Sequence, residues 1–145
     1  MKNKDIKIAE GIGDVQFGMS TEEIRQLLGE PDETNKQVYS DEDPDYFSIE
    51  WHYDQIEMSL VFDMLETLML STISISSEAY TLEGNSLIGS AIEDVMTVFD
   101  KMDLSSEWEE LEEEEDNARS FVNEEEGISL YFEDGLLSEF QIEML

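Results

Sequence analysis

A chain of 145 residues with 40% hydrophobic content is long enough to bury one core of average domain size. It carries 38 acidic residues against 7 Lys and Arg, a formal net charge of −31, and no cysteine, which excludes disulfides, zinc–thiolate sites and thiol catalysis. The charge disfavours nucleic acid and anionic membrane as direct partners, because phosphate binding draws on Lys and Arg, and it favours basic proteins and cations.

In chain order, the start "MKNKDIKIAEGIGD" sets Lys2, Lys4 and Lys7 ahead of no apolar stretch, and no later run approaches the roughly 20 apolar residues of a membrane span. The expectation is a soluble, cytoplasmic protein. Residues 1–36 hold 8 acids and 5 bases, whereas residues 37–145 hold 30 acids and only Lys101 and Arg119. Two exposed charges about 6 Å apart repel by about 0.7 kcal/mol in water before screening, so such a body strains its own fold.

The first predicted helix opens on Ser20 and Glu23, a capping box, and closes at Gly29 and Pro31. Alternation then predicts strands: Phe47, Ile49, Trp51 and Tyr53 on one face with Ser48, Glu50 and His52 on the other, then Ile56, Met58, Leu60 and Phe62, then residues 68–76. A second helix is predicted from Ser90 and Glu93, with Ile92, Val95, Phe99 and Met102 as its buried stripe. Ile128, Leu130 and Phe132 lead into the turn dipeptide Asp134-Gly135, and Phe140, Ile142 and Met144 return.

The chain also repeats. "FGMSTEEIRQLL" at residue 17 aligns with "IGSAIEDVMTVF" at residue 88, "SLVFD" at 59 with "SLYFE" at 129, and Leu68, Ile73 and Ile75 with Leu137, Ile142 and Met144. These matches predict an α+β fold of two tandem helix-plus-antiparallel-meander repeats, about 12–80 and 84–145, packed as one domain, each with a helix on its own sheet.

"VQFGMSTEEIRQLLGEPDE" (residues 15–33), followed by a meander ending in "YFEDGLLSEFQI" (residues 131–142), resembles the outer-membrane assembly lipoproteins of the SmpA/OmlA type. The doubling resembles the β-lactamase inhibitor protein, and that likeness implies helices on antiparallel sheet and a concave protein-binding surface. The second copy has Asp100-Lys101-Met102 where the motif has Gly-x-Pro, and no lipobox cysteine is present. Small acidic proteins with such folds also resemble bacterial immunity proteins, which block a cognate toxin.

Two acidic clusters align at matched positions of the repeat. Asp41, Glu42, Asp43 and Asp45 form one, with Tyr39 and Tyr46 beside it. Glu109, Glu110, Glu112, Glu113, Glu114, Glu115 and Asp116 form the other, with Trp108 and Leu111 among them. Carboxylates can stand in for phosphates in a basic groove while a few aromatic side chains hold affinity. Alternatively Leu104, Trp108 and Leu111 at i, i+4 and i+7 make a helix stripe. His52 is the only histidine and sits on the polar face of a predicted strand. Asp41, Asp43 and Asp45 take positions 1, 3 and 5 of a calcium loop, but Tyr46 and His52 replace its Gly and Glu.

The expected function is therefore a non-enzymatic inhibitor without a cofactor or metal, an immunity protein for a basic toxin such as a nuclease. The alternatives are a phage-type DNA mimic against a host defence nuclease and a divalent-cation-binding or envelope-assembly adaptor module. The partner's identity and the oligomeric state stay open.

Overall fold

In the computed structural model, which describes residues 1–145, the first half contains β1 (Ile6–Lys7), β2 (Gly11–Ile12), β3 (Val15–Gln16), α1 (Thr21–Leu28), β4 (Glu33–Ser40), β5 (Asp43–Tyr53), β6 (Met58–Met64) and β7 (Leu68–Ile75). The second contains β8 (Thr81–Leu82), β9 (Asn85–Ser86), α2 (Ile92–Asp100), β10 (Glu109–Leu111), β11 (Ala118–Asn123), β12 (Ile128–Glu133) and β13 (Leu136–Glu143).

The α+β expectation is corrected by this content. The chain is 48% strand and 12% helix, with two helices of only 8 and 9 residues, and its body is one eight-stranded antiparallel sheet in the order β10-β11-β12-β13-β7-β6-β5-β4. The two meanders do not close separate sheets. β13 pairs with β7 from Phe140 opposite Ile75 to Glu143 opposite Thr72, so the strongest period-2 sequences of both halves lie in the middle, where a strand has neighbours on both edges.

One face of that sheet is apolar. Trp51, Leu60, Ile73, Phe140 and Leu130 belong to a single cluster of 23 buried residues that also takes in Ile24 of α1 and Val95 and Phe99 of α2. Eight- and nine-residue helices are too short to be stable alone, so burial of this apolar stripe must hold them. α1 is capped as its sequence predicts: Ser20 Oγ accepts from the Glu23 N–H at 3.2 Å and Glu23 accepts from the Ser20 N–H at 3.2 Å.

The equivalent box at Ser90 and Glu93 does not form. α2 begins one residue later, with Ala91 as N-cap, because Ala91 is drawn into a bridge with Leu136. The Ser90 hydroxyl donates instead to the Ser86 carbonyl at 3.2 Å. The segment ahead of each helix is tied to a central strand in the same way. Gly18 donates to the Leu70 carbonyl and Leu70 to that of Met19, while Gly89 donates to Leu137 and Leu137 to Ser90. Gly18 and Gly89 both hold positive φ, 89° and 87°, where an L side chain is disfavoured.

The alignment of the third strands also shifts. Leu70 lies opposite Phe62 and Leu137 opposite Phe132, so Leu70, not Leu68, corresponds to Leu137. The β6–β7 hairpin extends its ladder as far as Met64 and Leu68, whereas the Asp134-Gly135 turn closes the β12–β13 hairpin earlier. A slip of two keeps every apolar side chain on the same face, which is why the pattern tolerated either alignment.

Candidate protein-binding surface

The opposite face of the sheet is mostly polar, with Val61, Val122 and Leu111 among its polar side chains. From β4 to β10 it presents Glu33, Asn35, Glu50, His52, Ser59, Asp63, Thr72, Ser74, Gln141, Tyr131, Ser120 and Glu109, as the strand registers dictate. A shallow groove of about 440 Å³ is lined by Ser59, Ser74, Tyr131 and Glu139 with Asp54 and Glu57 at its end. Burial, then the carboxylates of Glu133, Glu115 and Glu113, push the Tyr131 phenol upward.

His52 sits on this face between two partners. Its Nδ1 lies 2.8 Å from Ser59 Oγ and its Nε2 lies 3.1 Å from Glu50 Oε1. A hydroxyl, an imidazole and a carboxylate are therefore in a row, the elements of a nucleophile–base pair. Nucleophilic chemistry also needs donors aimed at a developing oxyanion, and the main-chain N–H groups of paired strands β5 and β6 are turned into their ladders. No three His, Asp or Glu side chains converge in a way that would hold a metal ion. Asp43 and Asp45 lie in extended strand β5, not in a loop that could wrap a cation.

The two acidic clusters are far apart. Asp41 and Glu42 form the tip between β4 and β5 at one edge of the sheet, while Glu112, Glu113, Glu114, Glu115 and Asp116 connect β10 to β11 at the other edge. Eight strands spaced by about 4.8 Å separate the edges by roughly 34 Å along the sheet. Strand alternation also sends the two tips to opposite ends, so the clusters occupy diagonally opposite corners. No common surface gathers them.

The corners differ in how far their side chains are already engaged. At the β10–β11 corner the expected helix stripe is absent, since Glu109–Leu111 is strand. Trp108 is half-buried, its ring 5.2 Å from that of Phe99, and so serves the core. Glu110 is gripped by Arg119 at 2.9 and 3.1 Å, and those hydrogen bonds, with the guanidinium charge, hold its carboxyl below the usual range. Glu113 accepts from the Ser120 hydroxyl.

At the β4–β5 corner the acids are free. Every residue of β4, and Asp43 to Tyr46 of β5, is exposed. β6 supports β5 only from Ser48 onward, so the tip of the hairpin projects as a two-stranded arm. On it Tyr39 and Tyr46 are 50% and 51% exposed, their ring centroids 5.1 Å apart. The Tyr39 hydroxyl donates to Asp63 at 3.0 Å, which fixes one ring of the pair. The one lysine of β4, Lys36, is folded over the Phe47 ring at 4.2 Å.

Sequence reasoning missed β4 as an element. Its residues face solvent on both sides, so no apolar alternation marks them; the only signal was the β-prone pair Val38-Tyr39 ahead of the acidic turn. No protein-family model matches the chain, and no curated protein and no solved structure matches it. No helix is long and apolar enough to cross a membrane.

Proposed function

We propose that the protein is a non-enzymatic acidic inhibitor that docks a basic protein through the tip of the β4–β5 hairpin, as an immunity protein would neutralise a toxin such as a nuclease. The observation that carries this reading is the exposed Tyr39–Tyr46 pair set among Asp41, Glu42, Asp43 and Asp45. Tyrosines supply binding area at little entropic cost and dominate interface energies, while unpaired carboxylates steer a cationic partner into place. Loss of solvent from the rings supplies affinity, and the wider field of a chain with 38 acids supplies encounter rate.

The test is capture of partners from the source cell with the wild-type chain and with Tyr39→Ala/Tyr46→Ala. A basic protein retained by the first and lost from the second, whose toxic or nuclease activity is suppressed on binding, is the expected result. Its association rate should fall at least about ten-fold between roughly 0.05 and 0.5 M salt. A partner whose association is indifferent to salt and to both tyrosines would remove the proposal.

A further inference from the structure

The two edges of the sheet are not equally protected. β10 ends the sheet with only three residues, a short edge of the kind that resists pairing with other chains. β4 is eight residues long, exposed throughout and without proline, and its only irregularity is a bulge at its far end, between Val38 and Ser40. Its one lysine does not guard it, because the Lys36 ammonium lies over Phe47.

The hydrogen-bonding phase of this edge can be worked out. Ser76 donates to the Glu57 carbonyl, and Met144 to that of Ser71. Alternation from those bonds through the registers of β6, β5 and β4 turns Glu33, Asn35 and Gln37 towards β5. The main-chain N–H and C=O groups of Thr34, Lys36 and Val38 therefore face outward without a strand to meet them. Arg25 adds no free charge nearby, being held by Glu22 and Glu30 at 2.6 and 2.7 Å.

We infer that the outer edge of β4 accepts an extended, Lys- and Arg-rich segment of the partner as a ninth strand. This rests on the reading that the partner is basic and arrives at this corner, and it adds the mode of contact. Main-chain pairing with Thr34, Lys36 and Val38 would supply geometry, and alternate basic side chains of the added strand would reach Glu33 on one side and the carboxylates of the hairpin tip beyond. A second copy of this chain is the poorer occupant, because two bodies of charge −31 would have to meet edge to edge.

The probe is a labelled, end-capped peptide of about ten residues alternating Lys and Thr, long enough to cover β4. Its control is the same peptide N-methylated at every residue, equal in charge but unable to donate along either edge. Anisotropy titration at about 0.15 M salt should show the unmethylated peptide binding at least about ten-fold tighter. Thr34→Pro, which deletes an outward N–H without touching the β5 ladder, should abolish that difference, while Thr34→Val should keep it.

Equal binding of both peptides, lost with salt, would overturn the strand-addition inference while leaving a basic partner in place. Failure of both to bind would overturn the two together. A dimer of the wild-type chain in light scattering that Thr34→Pro converts to monomer would assign the edge to a second copy instead.

Discussion

The Ser74 hydroxyl donates to the Gln141 side-chain oxygen at 3.1 Å, on strands that pair at that same point. Two sets of features on either side of this contact correspond. Ser71 and Ser138 occupy bulges and donate to the Val61 and Tyr131 carbonyls, each at 3.2 Å. Gly18 on Leu70 and Gly89 on Leu137 follow further out. The seam between the halves is thus made of ordinary sheet hydrogen bonds with apolar packing beneath, the kind of boundary that does not open independently.

Each half carries one tryptophan on the shared core, Trp51 against Phe62 at 4.9 Å and Trp108 against Phe99 at 5.2 Å. Urea titrations of Trp51→Phe and Trp108→Phe, each followed by the remaining indole, should each show a single transition, one whose midpoint matches that from far-ultraviolet dichroism of the same variant. An indole signal that moves at a urea concentration where the dichroism does not would mean that the seam opens before the rest. Phe140 is fully buried at the seam, and Phe140→Ala should cost about 3–5 kcal/mol.

Gly18 and Gly89 permit a direct test of the tie between each pre-helix turn and its strand. A Cβ added at either meets nothing within 4 Å, so Gly18→Ala and Gly89→Ala measure backbone strain alone and should each cost about 1–2 kcal/mol in denaturant. At Gly11 a Cβ would stand 2.1 Å from the Val15 carbonyl oxygen, and Gly11→Ala should be far more disruptive.

Alkaline titration reads the buried phenols. Burial first, then neighbouring carboxylates, pushes Tyr53 and Tyr80 up from 10.0 to about 12. A group whose folded value is raised contributes stability that is fully present below its unfolded value and is lost as pH climbs to the folded one. Wild-type stability should therefore fall between about pH 10 and about pH 12, and Tyr53→Phe/Tyr80→Phe should show a shallower fall over that window. Identical slopes in chemical denaturation would contradict the burial of these hydroxyls against the Gly29 and Ile56 carbonyls.

Salt should stabilise the fold. The ion pairs made by Arg and Lys are confined to Arg25 and Arg119 with their neighbours, leaving most of the 38 acids to repel one another. Raising NaCl from about 0.05 to about 1 M shortens the screening length to roughly 3 Å, and Tm should rise by about 5 °C or more. A flat or falling Tm would mean that the carboxylates are spaced too widely to interact.

Alternation made β5, β6, β7, β12 and β13 legible, because each buries one face and shows the other. Ser20 and Glu23 announced α1 for the equally local reason of capping. What could not be read was the join. Nothing in residues 72–75 or 140–143 states that they pair with each other, so two layered units were expected where one sheet forms. The acidic clusters were legible as charge but not as places, since their separation follows from strand order. Trp108 and Tyr46 were equal candidates in sequence; only the neighbouring Phe99 ring commits the tryptophan to the core.

Because the two acidic corners are so far apart, they can be discharged one at a time. Asp41→Asn/Glu42→Gln/Asp43→Asn/Asp45→Asn and Glu112→Gln/Glu113→Gln/Glu114→Gln/Glu115→Gln change net charge equally, so both weaken long-range steering alike. Dissociation of the proposed basic partner, followed by stopped flow or surface binding, should quicken at least about ten-fold for the hairpin variant and remain near wild type for the other. Equal dissociation from both, or faster loss from the β10–β11 variant, would place the docking site away from Tyr39 and Tyr46.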